Sequence, residues 1–325
     1  MIKLLYPKFW QTRNIWSYAL WPLSLIYRFL ALCRKLISSQ IKLPAKVICV
    51  GNITVGGTGK TQVVIWLAKL FTAQKIKFVI ISKGYRRDTK QALLVDLMHT
   101  YKEIGDEGVM LREYGTVIVA KKIKDVLPLL NNLKAEVIIV DDGMQNPNFH
   151  KDLTIAVIDG HRGFGNELLL PAGPLRQDIE EGFNQADIII TIGNINKNLA
   201  KTLCSFNLLS KSVFNAKLIS DLKLDKSIKY LAFTGIGNPQ RFFLLLKNYG
   251  LEIVGTMIFP DHHNYSSKDL DFLKSEPLKH RATLITTAKD WVKIPLGKLE
   301  VIRFDVELEF LDSLKLKNII YEKLS

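Results

Sequence analysis

The chain has 325 residues, 48% of them hydrophobic and 23% charged, enough apolar surface for a sizeable core and too much for wholesale disorder. Of its 45 Lys and Arg, 15 fall within residues 1–87, where there is no Asp or Glu, which leaves 30 against 31 acidic residues in the remainder. The net charge of +14 is therefore N-terminal. A basic segment beside an apolar one suits an anionic membrane surface, and no helix-turn-helix, RNP or zinc-finger pattern is present, so nucleic acid is set aside as a partner. Cys33, Cys49 and Cys204 lack metal-ligand or disulfide spacing, as in a reducing cytosol.

Ile15 to Cys33 is close to bilayer length but is interrupted by Pro22 and Arg28. At helical spacing Ser17, Ser24, Arg28 and Lys35 form a polar stripe opposite Ala19, Leu23, Ile26 and Leu30, which predicts a helix lying in a membrane interface. A single span, a signal peptide and a helix packed on the protein's own core are the competing readings. No small-residue cleavage site follows, which counts against the signal peptide.

Val47 to Thr61 reads as a buried strand entering a glycine-rich turn, followed by a helix from Gln62 to about Phe71. Backbone N–H groups of such a turn, at the positive end of a helix, cradle a polyphosphate. The predicted cradle is Thr54, Val55, Gly56, Gly57, Thr58, Gly59, Lys60 and Thr61, with Lys60 reaching the β- and γ-phosphates and the Thr61 hydroxyl offered to Mg²⁺. The strict G-x-x-x-x-G-K-[ST] pattern is broken at Thr54. A second strand, Phe78 to Ile81, ends in Ser82-Lys83-Gly84-Tyr85-Arg86-Arg87, a basic, aromatic tip placed to meet an anionic substrate. Gly105-Asp106-Glu107-Gly108 reads, taken alone, as a solvated turn.

Val117 to Ala120 predicts a strand, Ile123 to Leu133 a helix, and Val137 to Val140 a buried strand ending at Asp141 and Asp142. Four aliphatic residues followed by an acid make a Walker B arrangement, with Asp141 the Mg²⁺ residue. Strands at Leu153 to Ile158 and Asp187 to Ile192 flank a Gly/Pro-rich loop whose Arg176 can clamp a phosphate. After a boundary between Ser220 and Ser227 the α/β pattern restarts. It predicts strands at Tyr230 to Thr234, Glu252 to Ile258, Thr283 to Thr286 and Val301 to Phe304, with helices at Gln240 to Tyr249 and Lys268 to Leu273. Two loops follow strands there: Phe259-Pro260-Asp261-His262-His263-Asn264-Tyr265, better suited to acid/base work than to a metal, and Thr286-Thr287-Ala288-Lys289-Asp290, whose lysine is one position off the guanine-reading pattern of GTPases.

The expected fold is α/β, a P-loop NTPase-type mostly parallel sheet with helices on both faces, an N-terminal membrane-interface helix and a smaller second α/β domain. Its boundaries fall at 1–40, 41–222 and 223–325.

The ordered motifs VGNITVGGTGKT, SKGY, GDE, VIIVDDGMQ, LPAGPLR, AFTGIGNPQRF, FPDHHNY and TTAKDWVK resemble the tetraacyldisaccharide 4′-kinase family of lipid A biosynthesis, over a stretch from the N-terminal helix to about Lys293. The resemblance implies transfer of the ATP γ-phosphate to the 4′-hydroxyl of a tetraacyldisaccharide 1-phosphate at the cytoplasmic face of the inner membrane, with no obligate protein partner. It further implies that Asp106 and His262 form a base dyad, that Glu107 joins Asp141 and Thr61 at Mg²⁺, and that Tyr85 and Arg176 meet the lipid headgroup. Lys83, Gln62, Asn146 and Gln177 depart from the family's usual residues without removing a catalytic group. A membrane-tethered P-loop ATPase or GTPase switch is the alternative, and it leaves the second-domain motifs without a role.

Overall fold

The computed structural model describes residues 7–85, 87–206 and 212–324; Arg86 of the basic tip lies outside them. Among the described residues the first half alternates strands and helices: α1 (Ile15–Leu36), β1 (Lys46–Gly51), α2 (Lys60–Ala73), β2 (Phe78–Ser82), β3 (Leu93–Leu94), α3 (Tyr101–Leu111), β4 (Thr116–Val119), α4 (Leu127–Leu130) and β5 (Val137–Asp141). There follow β6 (Leu153–Asp159), α5 (Ile179–Gln185), β7 (Ile188–Ile192), α6 (Lys197–Ser205) and β8 (Ser212–Ile219). The remainder holds β9 (Lys229–Thr234), α7 (Pro239–Asn248), β10 (Glu252–Ile258), α8 (Ser267–His280), β11 (Ala282–Thr287), α9 (Ala288–Trp291), β12 (Ile302–Phe304), β13 (Glu307–Phe310) and α10 (Ser313–Leu324).

The large sheet has the order β13-β8-β7-β6-β1-β5-β2-β4-β3 and is parallel except at its two outer pairs, β13 with β8 and β3 with β4. Its central strands are apolar on both faces because helices cover both. Ile48 and Val50 of β1 pack toward α2 and α10, and Val47 and Cys49 toward the opposite face with Phe183 and Leu199. A second sheet, β10-β9-β11-β12, is all parallel.

Two expectations change. Residues 223–325 do not stay together, because Glu307 opposes Ile219 and β13 completes the large sheet, with α10 packing Leu316 and Ile320 into its core. The single helix expected from Ile123 to Leu133 is a 3₁₀ turn, Ile123–Val126, followed by the one-turn α4, whose Pro128 lacks the N–H that a continuous helix would need.

Helix α1 has its polar stripe turned inward. Asn14 caps it by accepting from the N–H groups of Trp16 and Ser17. Ser17 and Ser24 are buried: Asn166 Nδ2 donates to Ser17 Oγ at 3.1 Å, and Ser24 Oγ donates to the Leu169 carbonyl at 2.9 Å. Tyr27 donates to the Arg176 carbonyl at 2.9 Å, Arg28 pairs with Asp178 at 3.1 Å and Lys35 with Glu181 at 3.0 Å. The apolar side, with Trp16, Trp21, Leu23, Ile26, Phe29 and Leu30, is exposed. The helix is long and apolar enough to cross a membrane, and only 11% of its apolar window is buried, which removes the core-helix reading.

Candidate active site

The phosphate loop joins β1 to α2. Gly56 and Gly59 have φ of 111° and 100°, and Gly59 caps α2 in the left-handed region that a side chain disfavours. A Cβ on Gly59 would also lie 2.7 Å from Ile192 Cδ1. Asn52 braces the loop from within, its Nδ2 reaching Gly56 O at 3.4 Å and Thr58 Oγ1 at 3.3 Å. Of the predicted cradle, Thr54 forms a β-bridge to Leu175 and Val55 N–H donates to Pro174 O at 2.8 Å, so that amide is engaged by the 169–176 loop. Thr61 follows Lys60 in the first turn of α2.

Three cations converge on Asp142. Arg176 Nη1 donates to its Oδ1 at 2.8 Å, Lys60 Nζ lies 3.4 Å from the same oxygen, and Lys83 Nζ lies 3.6 Å from Oδ2. Burial alone would raise the Asp142 carboxyl, but Lys60, Arg176 and Lys83 bring it down to about 2. Arg176 is therefore committed to a carboxylate, and at 3.4 Å to Gln145 Oε1, rather than held open as a phosphate clamp. It ties α1, through its carbonyl, to the floor of the site.

Asp141, one residue earlier at the tip of β5, is the opposite case. It is buried, neither carboxylate oxygen has a hydrogen-bond partner, and burial together with the charge of Glu107 pushes it up to about 8 against the pull of Lys60. A buried, unpartnered carboxylate beside a second acid fits a divalent cation, and Mg²⁺ is commonly held by one or two carboxylates together with substrate phosphates. Among the described residues no cluster of three His, Cys, Asp or Glu forms an all-protein metal cage.

The Gly105-Asp106-Glu107-Gly108 segment is not a solvated turn. It lies inside α3, where a Thr100–Glu103 capping box starts the helix and Gly105, at φ 79° and ψ 157°, kinks it. The kink packs on the SKGY tip: a Cβ on Gly105 would lie 3.0 Å from Gly84 C and 3.1 Å from Tyr85 O. Asp106 is consequently buried and meets His262, whose Nδ1 lies 2.8 Å from Asp106 Oδ2 and 3.0 Å from Oδ1. Burial opposes ionisation of Asp106, yet Lys289 and His262 hold it well below the usual carboxylate range. An ionised Asp106 accepts, so Nδ1 carries the proton. His262 itself sits at φ 56°, a strained backbone for a bulky residue and a common sign of a functional site. Tyr85 lies against its ring with centroids 4.7 Å apart.

Lys289 closes the far side of the dyad. Its Nζ is 3.1 Å from His262 Nε2, 3.7 Å from Glu107 Oε1, 3.8 Å from Asp261 Oδ1 and 4.0 Å from Asp106 Oδ2. Burial would lower its proton affinity, but Asp106, Glu107 and Asp261 raise it above the ordinary lysine value. Next to it, Asp290 accepts from Thr234, Thr287, Tyr265 and the Gly235 N–H and pairs with buried Lys293 at 2.8 Å, fixing the β9 and β11 tips.

A further junction joins the second sheet to the phosphate loop. Asp159, buried at the end of β6, lies 3.0 Å from Asn238 Nδ2 and 3.4 Å from Arg241 Nη1, and Arg241 also reaches Thr58 O at 3.4 Å. A Cβ on Gly237 would come within 3.2 Å of Gly57 N. Asp142, Lys289, Asp159 and Arg241 were not assigned to the site from sequence. The signals available were a second acid beside Asp141, an acid ending a buried strand, and a lysine directly after one.

A phosphate loop on a mostly parallel sheet, an acid at the neighbouring strand tip and an acid–histidine pair beside it define a P-loop phosphotransferase, here with an exposed apolar helix attached. A family model described as tetraacyldisaccharide-1-P 4′-kinase matches residues 16–325. The chain is 51% identical over 325 residues to the tetraacyldisaccharide 4′-kinase of Rickettsia canadensis, covering 100% of this chain and 98% of that one. It is 50% identical over 323 residues to the Rickettsia typhi protein of the same name, covering 99% and 100%. The crystal structure of LpxK from Aquifex aeolicus in complex with ATP is similar with a TM-score of 0.75 at 28% identity, over 95% of this chain and 99% of that one. The chain belongs to the tetraacyldisaccharide-1-P 4′-kinase family.

Proposed function

We propose that the protein moves the γ-phosphate of ATP to the 4′-hydroxyl of a tetraacyldisaccharide 1-phosphate through the Asp106–His262 pair, working at a membrane surface on which α1 rests. Membership of the family makes it an ATP-dependent kinase of this lipid A precursor. The observation carrying the residue-level reading is the 2.8 Å contact between His262 and Asp106 beside the unpartnered Asp141.

In this reading the loop from Thr54 to Thr61 and the Lys60 ammonium hold the polyphosphate, and the Arg241 contact to Thr58 O keeps the loop in shape. Asp106 fixes the proton on Nδ1 and leaves Nε2 as the basic atom, which takes the hydroxyl proton as the sugar oxygen attacks the γ-phosphorus. The bond to the β-phosphate breaks and ADP leaves with its electron pair. Asp141, Glu107 and Thr61 would hold Mg²⁺, which when bound neutralises phosphate charge. Tyr85, half exposed against the His262 ring, orients the sugar, and Arg176 couples the helix to Asp142 below the headgroup.

Two units carry this chemistry: the large sheet, residues 41–222 with the returning 307–324, and the small sheet with its helices, 223–306, while residues 1–40 form the membrane element. The apolar face of α1 would lie in the cytoplasmic leaflet of the inner membrane, the side on which ATP is available. The test is transfer of labelled γ-phosphate from ATP to the disaccharide lipid by purified protein in detergent. Lipid-stimulated ATP hydrolysis without a phosphorylated lipid would instead identify a switch.

A further inference from the structure

We propose that Lys289 is a catalytic cation of the small-sheet unit, which caps the base before substrates arrive and then moves to the oxygens of the phosphoryl group in transfer. The proposal rests on the kinase reading above. His262 has one ring nitrogen on Asp106 and the other 3.1 Å from Lys289 Nζ. With the proton on Nδ1, the Nε2 lone pair is the atom that must receive the hydroxyl proton. An ammonium has three donors and no lone pair, so it faces Nε2 only by donating to that lone pair. The acceptor hydroxyl and Lys289 therefore compete for one site, and catalysis requires the ammonium to leave it.

Where it goes follows from its other neighbours. Besides His262, Lys289 lies within 4.0 Å of Asp106 and Glu107 on α3 and of Asp261 in its own unit. Glu107 is one of the two acids facing the cation site beside the phosphate loop, so a polyphosphate entering there brings several negative oxygens toward the same ammonium. A flexible four-carbon stem on the short helix α9 permits a move of a few ångström without backbone change. In phosphoryl transfer, charge spreads over three equatorial oxygens, and a cation placed against them is an effective means of stabilisation. Lys289 stays protonated throughout. Its N–H donors exchange His262 Nε2 for phosphoryl oxygen, the hydroxyl proton goes to Nε2, the new O–P bond forms and the bond to ADP breaks.

The arrangement has a second consequence. Until nucleotide draws Lys289 away, the Nε2 lone pair is engaged by the ammonium, so the base becomes available only once ATP is in place.

The test uses the full-length enzyme in detergent with ATP, Mg²⁺ and the disaccharide lipid, comparing Lys289→Ala, Lys289→Gln and Lys289→Arg. Wild-type transfer to the lipid is measured first; if none occurs the kinase reading itself fails, whatever Lys289 does. Given wild-type transfer, the expected results are a fall in kcat of about 10²-fold or more in Lys289→Ala and Lys289→Gln, KM for both substrates within about threefold, and partial recovery in Lys289→Arg. Added ethylammonium should raise the Lys289→Ala rate at least tenfold while leaving wild type unchanged, a rescue that a purely structural lysine would not give. Near-wild-type kcat in Lys289→Gln overturns the proposal. So does a folded, ATP-binding Lys289→Ala enzyme that neither ethylammonium nor the arginine variant restores. If the alanine chain does not fold, the ratio of kcat in Lys289→Arg to that in Lys289→Gln decides, and equality of the two overturns it.

Discussion

His262 Nδ1 lies 2.8 Å from Asp106 Oδ2, although 156 residues separate them and they belong to loops and helices of different sheets. In the reading proposed above each orients the other, so they should act as one device. Asp106→Ala and His262→Ala should each lower kcat by about 10²- to 10⁴-fold. The double variant should be no worse than the weaker single, as expected for groups that act together. Multiplicative losses in steady-state lipid phosphorylation would show two independent roles instead.

The kink at Gly105 is what delivers Asp106. Its φ of 79° disfavours any side chain, and a Cβ there would press on the Gly84 backbone, which has no rotamer to give way. Gly105→Ala should cost about 1–3 kcal/mol in urea unfolding and depress kcat more than it alters the KM for ATP. An unchanged unfolding midpoint would mean that the kink relaxes without cost.

Asp142 gives a stability signature in acid. Its carboxyl is held at about 2, below the ordinary 3.8, so its contribution is fully present above about pH 4 and is lost as the pH falls through 2. The unfolding free energy of the wild type should exceed that of Asp142→Asn by on the order of 2 kcal/mol near neutrality, with the gap closing between pH 4 and 2. A gap independent of pH would show that the three cations do not depend on the carboxylate charge.

For the N-terminal helix, the exposed Ile26, Phe29 and Leu30 are the side chains to change. Replacing all three with glutamate should weaken binding to anionic phospholipid vesicles at least tenfold in co-sedimentation, because losing even one such group from an apolar phase costs more than about 1.4 kcal/mol. Binding of a fluorescent ATP analogue should be unaffected. Equal vesicle binding would move the membrane contact to another surface.

Asp290 has a structural role that the same reasoning separates from catalysis. It is fully buried, pairs with Lys293 and accepts from four protein donors. Asp290→Ala should destabilise the chain by about 3–5 kcal/mol, read in chemical denaturation.

What the sequence made legible was local. The phosphate loop and the acid at the tip of β5 are contiguous stretches whose geometry follows from a strand, a few glycines and a helix start, and both stand where the pattern puts them. Glycine next to two acids usually means a solvated turn, and nothing within Gly105 to Gly108 reveals that Gly84 and His262 will close over it; the family resemblance supplied that pairing. The polar stripe of α1 was visible, but whether it faced water or protein depended on Leu169, Arg176, Asp178 and Glu181, far along the chain. β8 and β13 carry a weak strand signal because their alternation is half polar, as suits the outermost antiparallel pair of a sheet.

The pairing of Glu307 with Ile219 bears on how the two sheets are linked. The chain leaves the large sheet for the small one after Ile219 and comes back at Glu307, so both tethers of the small sheet start from one opposed pair of residues on one edge. His262, Lys289 and Arg241 all lie on the segment between those two residues, so one length of chain brings all three to Asp106 and the phosphate loop. Both connections to the small sheet thus start at the end of the sheet order away from β2 and β4, whose side of the large sheet carries Asp106.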